Sequence, residues 1–582
     1  MPLFSRTRGR KILSFLLGSL LFGLAYTQPR LYYSNQHQYF LHGAAAAGEG
    51  FLSHDWLANT ADPTPVFSTL VAWTLRYGHS FLFYGYYLII LGIYLHALMG
   101  IFDALGDSLQ SPSPPVHRGR GVGVKGWTFS RIFAPSTPLP RIEGGGERTD
   151  SQQSRESAKR ARWAFLAFVV VVHSGLLRWS SVRVFGVDYP WYFQAGVANQ
   201  YILGAGLQPS VFGVWLVLSV SIFLKNRPYL AVTWAALSGV IHSTYLLSAA
   251  LLTLSYLYLL LRAGRRRDAA LVGLWALLVV SPVVVYNAVS FAPSSPQAFA
   301  EAQHLLAHVR IPHHTQVDRW LDGLAWMQLG WILWAMFLVR KSRLFVVLSV
   351  CFVGSLALTL VQVATGNDTL ALLFPWRTSS FLVPIATAVI LTQTLNHFAF
   401  RSYPAIQYIY GFVLIVFVTG GVVISYFGLG YRTNTQETRL LEYIRDHKTA
   451  EDVYLLPVEL PKLTSGQRGA ASLNFTPPPQ RSTQKQNISV DLQQFRLFTG
   501  APIYIDFKSI PYKDVEVLEW RHRVLWTHGL YEERNWNEHE IATELSRRKI
   551  THIVATADRD ISCAALELVC KDPSYRLYRV RK

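Results

Sequence analysis

The sequence predicts a polytopic α-helical membrane protein that ends in a separate α/β domain. Charged residues make up only 15% of the 582, against about 25% in a typical soluble chain, so solvating surface is scarce. The apolar residues come in blocks of roughly 17–25, the length that crosses a hydrocarbon core about 30 Å thick. Beyond residue 430 this pattern stops, charge density rises, and short β-type runs alternate with helical ones. Residues 1–430 are therefore expected to form the membrane domain and 431–582 a small α/β domain.

The net charge of +19 raises the question of nucleic acid, but no segment resembles a nucleic-acid module. The cations follow the positive-inside pattern instead. Counted over the segments between helices, inward segments hold 24 and outward loops five: Arg30, Arg183, Arg310, Arg319 and Arg377. That asymmetry sets the expected orientation, with the N-terminus cytoplasmic and the C-terminal domain extracytoplasmic.

Each element follows from local chemistry. Arg6, Arg8, Arg10 and Lys11 precede the apolar run Ile12–Tyr26, which reads as a signal anchor because no small-x-small cleavage pattern follows it. Residues 28–66 then lie outside. Thr64–Tyr77 starts on a proline and sets Phe67, Leu70, Val71 and Thr74 on one side, the pattern of an interfacial amphipathic helix. Phe81–Phe102 is the second span. Residues 103–162 are rich in Pro, Gly and Ser, with ten cations against six acids, and are expected to be a disordered cytoplasmic loop. Spans three and four are Trp163–Trp179 and Leu207–Leu224.

The block Tyr229–Leu261 is too long for one crossing at about 1.5 Å per residue, and cations bracket both its ends. It must be a hairpin of two short helices with His242-Ser243-Thr244-Tyr245 at the outward tip. Ala269–Phe291, Gly323–Val339, Leu344–Ala364, Ser379–Phe398 and Ala405–Leu429 complete eleven spans. In the tail, strands are expected at Val453–Pro457, Ile503–Phe507, His552–Ala555 and Tyr575–Val580, and helices at Thr438–Asp446, Asp514–Trp526 and Glu538–Lys549. Cys351 reads as packing. Cys563 and Cys570 could meet across a loop and a strand, though not along one helix.

The outward loops gather the ionisable residues: His54, Asp55, Asp62, Asp188, His242, Arg310, His313, His314 and Arg377. Acids at the membrane rim escape most of the insertion cost. Such a set can deprotonate a hydroxyl, bind a divalent metal through oxygen ligands, or simply be solvated loop. Blander roles stand beside each: a helix cap for Asp55, a helix-start residue for Asp62 before Pro63, an interfacial anchor for Arg377, packing for His242.

The chain resembles the GT-C glycosyltransferases, through the long first outward loop with its acidic motif, His54-Asp55 and then Asp62, the interfacial helix and the outward α/β tail. Within that superfamily it resembles a bacterial branch through Asn35 to Tyr39, His54-Asp55-Trp56, Ala198-Asn199-Gln200-Tyr201 with Gln208-Pro209-Ser210, His242-Ser243-Thr244-Tyr245, Phe374-Pro375-Trp376-Arg377, Phe495-Arg496-Leu497, Thr499-Gly500, Ile505-Asp506-Phe507-Lys508 and Tyr512-Lys513-Asp514.

The resemblance implies a multi-pass enzyme of a bacterial inner membrane. It would move a sugar from a polyprenyl-phosphate donor to a glycan, lipid or protein acceptor on the outer face. Asp55 would act as general base. Arg377, assisted by Arg310 or a protonated His313 or His314, would receive the leaving phosphate, and His54, Asp62, Asp188 and His242 would contact substrate. Many relatives of this type carry two adjacent acids in the first loop. Here Asp55 follows a histidine and the next acid is seven residues on, which favours a lone base over a divalent metal such as Mg or Mn. Two other functions stay open, a transporter of a lipid-linked substrate and a non-catalytic scaffold.

Overall fold

The computed structural model describes residues 6–110, 146–397, 406–431, 434–460, 492–532, 538–559, 561 and 563–581. Most of the cytoplasmic loop expected at 103–162, namely 111–145, lies outside the described residues.

The chain is a helical membrane protein. Among the described residues, six helices are long and apolar enough to cross a bilayer: Leu82–Gly106, Ser243–Arg262, Arg266–Ser290, Arg343–Thr365, Asp368–His397 and Ile406–Phe427. Ser157–His173 and Gly175–Phe185 pass the same test together but bend by 49° at Ser174. The expected straight third span is thus a broken one. Ser174 is extended, and its hydroxyl accepts the Leu177 N–H to start the second half. Four shorter apolar helices accompany these, at Lys11–Tyr26, Pro209–Leu224, Pro228–Ile241 and Gly323–Leu338. Arg266–Ser290 and Ile406–Phe427 bury little of their apolar surface inside the protein, as lipid-facing helices do.

The forced hairpin is present: Pro228–Ile241 and Leu246–Arg262 flank a break whose one 3-10 turn is Ser243–Tyr245. The interfacial helix runs Pro65–Tyr77. It buries Phe67, Val71 and Thr74 and leaves Trp73 and Tyr77 exposed.

The tail forms a four-stranded sheet of β1 (Tyr454–Leu455), β2 (His552–Thr556), β3 (Leu566–Lys571) and β4 (Tyr575–Val580), in the order β1-β2-β4-β3. β1 and β2 are parallel, and the other pairs are antiparallel. Ile503–Phe507 is not a strand: Ile503 makes one isolated bridge to Tyr454, and the segment then leaves the sheet. β3 is an edge strand in a hairpin with β4, and its mostly exposed alternation hides it from a search for apolar runs. Helices Thr438–His447, Asp514–Glu532 and Glu538–Arg547 stand where the sequence puts them. Cys563 and Cys570 are unpaired.

The tail does not hang free. Its apolar core takes in Ala302 and Leu306 from the outward segment after Ser290, and Trp56 and Leu372 pack against it. Asp514 accepts both the backbone N–H and the hydroxyl of Ser294, at 2.6 and 2.7 Å. Glu516 accepts the Ala61 N–H at 3.0 Å. Gly50 and Gly500 touch backbone to backbone, with φ +52 and +69, and a Cβ on Gly50 would lie 2.4 Å from the Gly500 carbonyl oxygen. The domain is a cap seated on the first loop and on the segment that follows Ser290.

Candidate functional site

The loop between the first two apolar helices is pinned by the cap, and Asp55 is the pin. Two 3-10 turns, Leu52–His54 and Leu57–Asn59, flank it, and its carboxylate points away from solvent with 0% exposure. Oδ1 accepts the Leu57 N–H at 2.9 Å. Oδ2 accepts the Ile503 N–H at 2.9 Å and the Nε–H of Arg496 at 2.7 Å. Arg496 is itself buried and binds Asp506 through Nη1. With no exposure and both oxygens so engaged, Asp55 ties the first loop to the cap, and action as a base requires that tie to open. The first loop does not fit a divalent metal. Asp55 is committed to Arg496, and Asp62 uses Oδ1 to accept the Thr64 N–H at 2.8 Å in the turn before the interfacial helix.

Two further expected substrate contacts are structural. Asp188 is 1% exposed and is held by Arg178 through Nε and Nη2 at 2.9 and 2.7 Å, beneath the Trp191 ring. His54 is exposed and meets the Ala450 carbonyl at 2.8 Å, another strap to the cap.

The remaining expected residues do come together, and the cap adds to them. Arg310 ends the segment Leu305–Arg310 and is buried. It donates to the Lys508 carbonyl and lies 5.7 Å from the Phe507 ring. Arg377 sits in the turn before the Ser379–His397 helix, bonded to the Gln200 side chain, with its guanidinium 4.6 Å over the Tyr245 ring. The Lys508 ammonium reaches Ser34 Oγ at 3.3 Å and Gln493 Oε1 at 3.1 Å.

Among the described residues no carboxylate lies within ion-pair distance of these three cations. The Nε atoms of Arg310 and Arg377 are shut from solvent without a partner. Buried charge is normally paired, so this is uncompensated positive charge. Burial and then the Arg310 charge push Lys508 down to about 7, with Asp506 opposing.

Aromatic and imidazole groups line the same region. Tyr39 lies within the fields of Tyr512, Arg377 and Arg310, and its ring stands edge-on to His242 at 5.9 Å. His242 is buried with Nδ1 unpartnered, and burial and then Arg377 hold it well below the usual histidine range. His314 meets the Ala198 carbonyl at 2.7 Å. It is lowered to about 4 by burial, with that hydrogen bond opposing and the Arg377 and Arg310 charges assisting. His313 is lowered well below its usual value by burial, His314 and Arg310. These shifts favour the neutral imidazole at both positions in the absence of an anion. A small recess of about 10 Å³, room for a single water, lies between Gln38, Tyr39, Thr60, Thr64 and the cap residues Ile510 and Pro511. Its lining includes neither Asp55 nor Arg377, and Tyr39 is the link between recess and cations.

Sequence reasoning missed Lys508, Asp506, Arg496 and Tyr512 as site residues, although they stand in the tail stretches that carry the resemblance. No local pattern marks a tail lysine as facing an arginine 198 positions earlier.

A family described as a domain of unknown function (DUF6798) matches residues 482–526, the stretch that holds Arg496, Asp506, Lys508, Tyr512, Asp514 and Glu516. No curated protein matches the chain.

Proposed function

We propose that the protein is a membrane glycosyltransferase that takes a sugar from a polyprenyl-phosphate donor at the outer face of the membrane. The observation that carries this reading is the set Arg310, Arg377 and Lys508, three inward-held cations without a carboxylate partner among the described residues. Such charge suits a phosphodiester, which brings negative charge and several acceptor oxygens. The six long helices, the bent pair and the four shorter apolar helices then make eleven crossings, with the cap extracytoplasmic and the cation-rich loops inside.

The reaction is a single displacement. The acceptor oxygen bonds to the anomeric carbon as the carbon–oxygen bond to phosphate breaks. The phosphate leaves with the bonding pair and is stabilised by the three cations. The acceptor proton passes to a carboxylate. Asp506 is the candidate for that carboxylate on exposure: its Oδ2 is held by Arg496 and its Oδ1 by the Ser509 N–H, as Asp55 is held, but its side chain is 26% exposed where Asp55 is fully buried, and its field reaches both Arg310 and Lys508.

A second reading, a lipid-phosphate binding protein without transfer, draws on the locking of Asp55 by Arg496. One experiment separates them. The full chain in nanodiscs is given a short-chain polyprenyl-phosphate hexose, the matching polyprenol, and an envelope lipid extract as acceptor. Binding of the phosphate over the polyprenol, with release of polyprenyl phosphate that Asp506→Asn abolishes, supports the transferase. Selective binding without release supports the second reading. Equal binding of phosphate and alcohol sinks both.

A further inference from the structure

A second ionisable cluster lies outside the cationic site. The helix Pro296–His304 ends on a histidine, and the chain continues as a six-residue π-helix, Leu305–Arg310. π-Helical turns are rare and fall mostly at functional positions. His304 and His308 therefore sit about one turn apart on one face, their rings stacked at 4.3 Å. Asp368 opens the short helix Asp368–Leu372 and turns its carboxylate to both. Its Oδ1 is 2.8 Å from His308 Nε2, and its Oδ2 is 3.3 Å from His304 Nδ1. One ligand atom from each of the three residues, a nitrogen from each histidine and one carboxylate oxygen, all lie within 4.8 Å of one another.

We propose that His304, His308 and Asp368 bind a transition-metal cation of the zinc class. Around a tetrahedral zinc with bonds of about 2.0–2.2 Å, ligand atoms stand roughly 3.3–3.5 Å apart. The two nitrogen–oxygen spacings already present fall within about 0.7 Å of that figure. The imidazoles are 61% and 39% exposed, so they can rotate through the remainder and an ion can reach them. Two imidazoles with one carboxylate select zinc, cobalt or nickel over magnesium or manganese, which prefer all-oxygen sets. Three protein ligands leave a fourth position for water, with the Gln316 amide 3.4 Å from His308 Nε2 beside it.

Location gives the site a consequence. His308 is two residues before Arg310, and Asp368 is nine residues before Arg377 in a separate segment. A bound ion would tie together the two outward segments that hold those cations. The ion is a clasp on the site, and it stands whether or not the cations bind a lipid phosphate.

The test uses the full chain in nanodiscs, purified without a polyhistidine tag and stripped with chelator. Equilibrium dialysis against zinc is read by metal analysis, and cobalt substitution by visible absorption. The expected result is one zinc per chain and the absorption of a four-coordinate cobalt site. Affinity should fall at least about tenfold in His304→Gln and in Asp368→Asn. His304→Gln alters an exposed side chain, so its metal-free melting should match that of the parent. Failure to bind stoichiometric zinc overturns the proposal, and so does equal zinc retention by both variants.

Discussion

Replacing Asp55 separates a base from a pin. In Asp55→Ala the buried Arg496 loses its 2.7 Å partner, and the N–H groups of Ile503 and Leu57 lose their shared acceptor. Breaking a buried ion pair from one side costs about 3–5 kcal/mol. Arg496 keeps Asp506 on Nη1, which moves the expectation to the lower end, about 3 kcal/mol. The two orphaned N–H groups each add about 1–3 kcal/mol if water does not reach them. The loss should appear as loosening of the cap, because both Arg496 and Ile503 belong to it. The assay is limited proteolysis of the nanodisc-held protein alongside its thermal midpoint, for Asp55→Ala, Asp55→Asn and Arg496→Met. In the double variant Asp55→Leu with Arg496→Met, stability should recover part of the sum of the single losses, since no unpaired buried charge remains. A cap that stays protease-resistant in Asp55→Asn while sugar transfer disappears would refute the pin and restore the base.

The fields around Lys508 predict a pH effect. An anion at Arg310 and Lys508 favours the ammonium, which titrates at about 7 in the free protein, so affinity should weaken as pH rises: about eightfold between pH 7.5 and 8.5, read by titration with a phosphodiester lipid, with the slope abolished in Lys508→Arg. The same group binds its proton less tightly folded than unfolded, where it titrates near 10.5. Its contribution to stability therefore increases with pH from about 7 to 10.5, by up to about 1.4 kcal/mol per unit, and is flat below 7. Gly50→Ala should destabilise cap seating by at least about 1–2 kcal/mol, because φ is +52 and the new methyl meets the Gly500 carbonyl; faster proteolysis of the cap reports it. Arg178→Ala leaves the buried Asp188 without its cation, with the Trp191 N–H still on Oδ1, and should cost about 3–5 kcal/mol, read as a lowered melting temperature in detergent.

Periodicity and charge made most of the fold legible. The hairpin was forced by the length of its apolar block and the cations at both ends, and the break at Ser243–Tyr245 falls there. The tail helices announced themselves because their apolar spacing is local. What escaped was non-local or understated. β3 has few buried positions, so its place depends on pairing with β4 rather than on its own composition. The bend at Ser174 interrupts an apolar run without a proline. Ile503–Phe507 has strand-like residues but spends its backbone on the first loop, since the Ile503 N–H goes to Asp55.

The site divides along a physical line. An acid's chemistry is decided by what faces it, and Asp55 faces a residue 441 positions away. No spacing rule could distinguish it from a free base. Asp188 was likewise claimed by Arg178, which lies within an apolar run and passes for a stray charge in a span. Cations are easier to place, because counting them loop by loop leaves only a few outside the cation-rich segments, and those few stand out. Arg310 and Arg377 were visible on that ground, and both lie at the cluster. Lys508 was not, since the tail carries many lysines and arginines and only the seating of the cap brings this one beside Arg310. Among the described residues, a loop cation held without a carboxylate is thus a better pointer to the cluster than a loop acid.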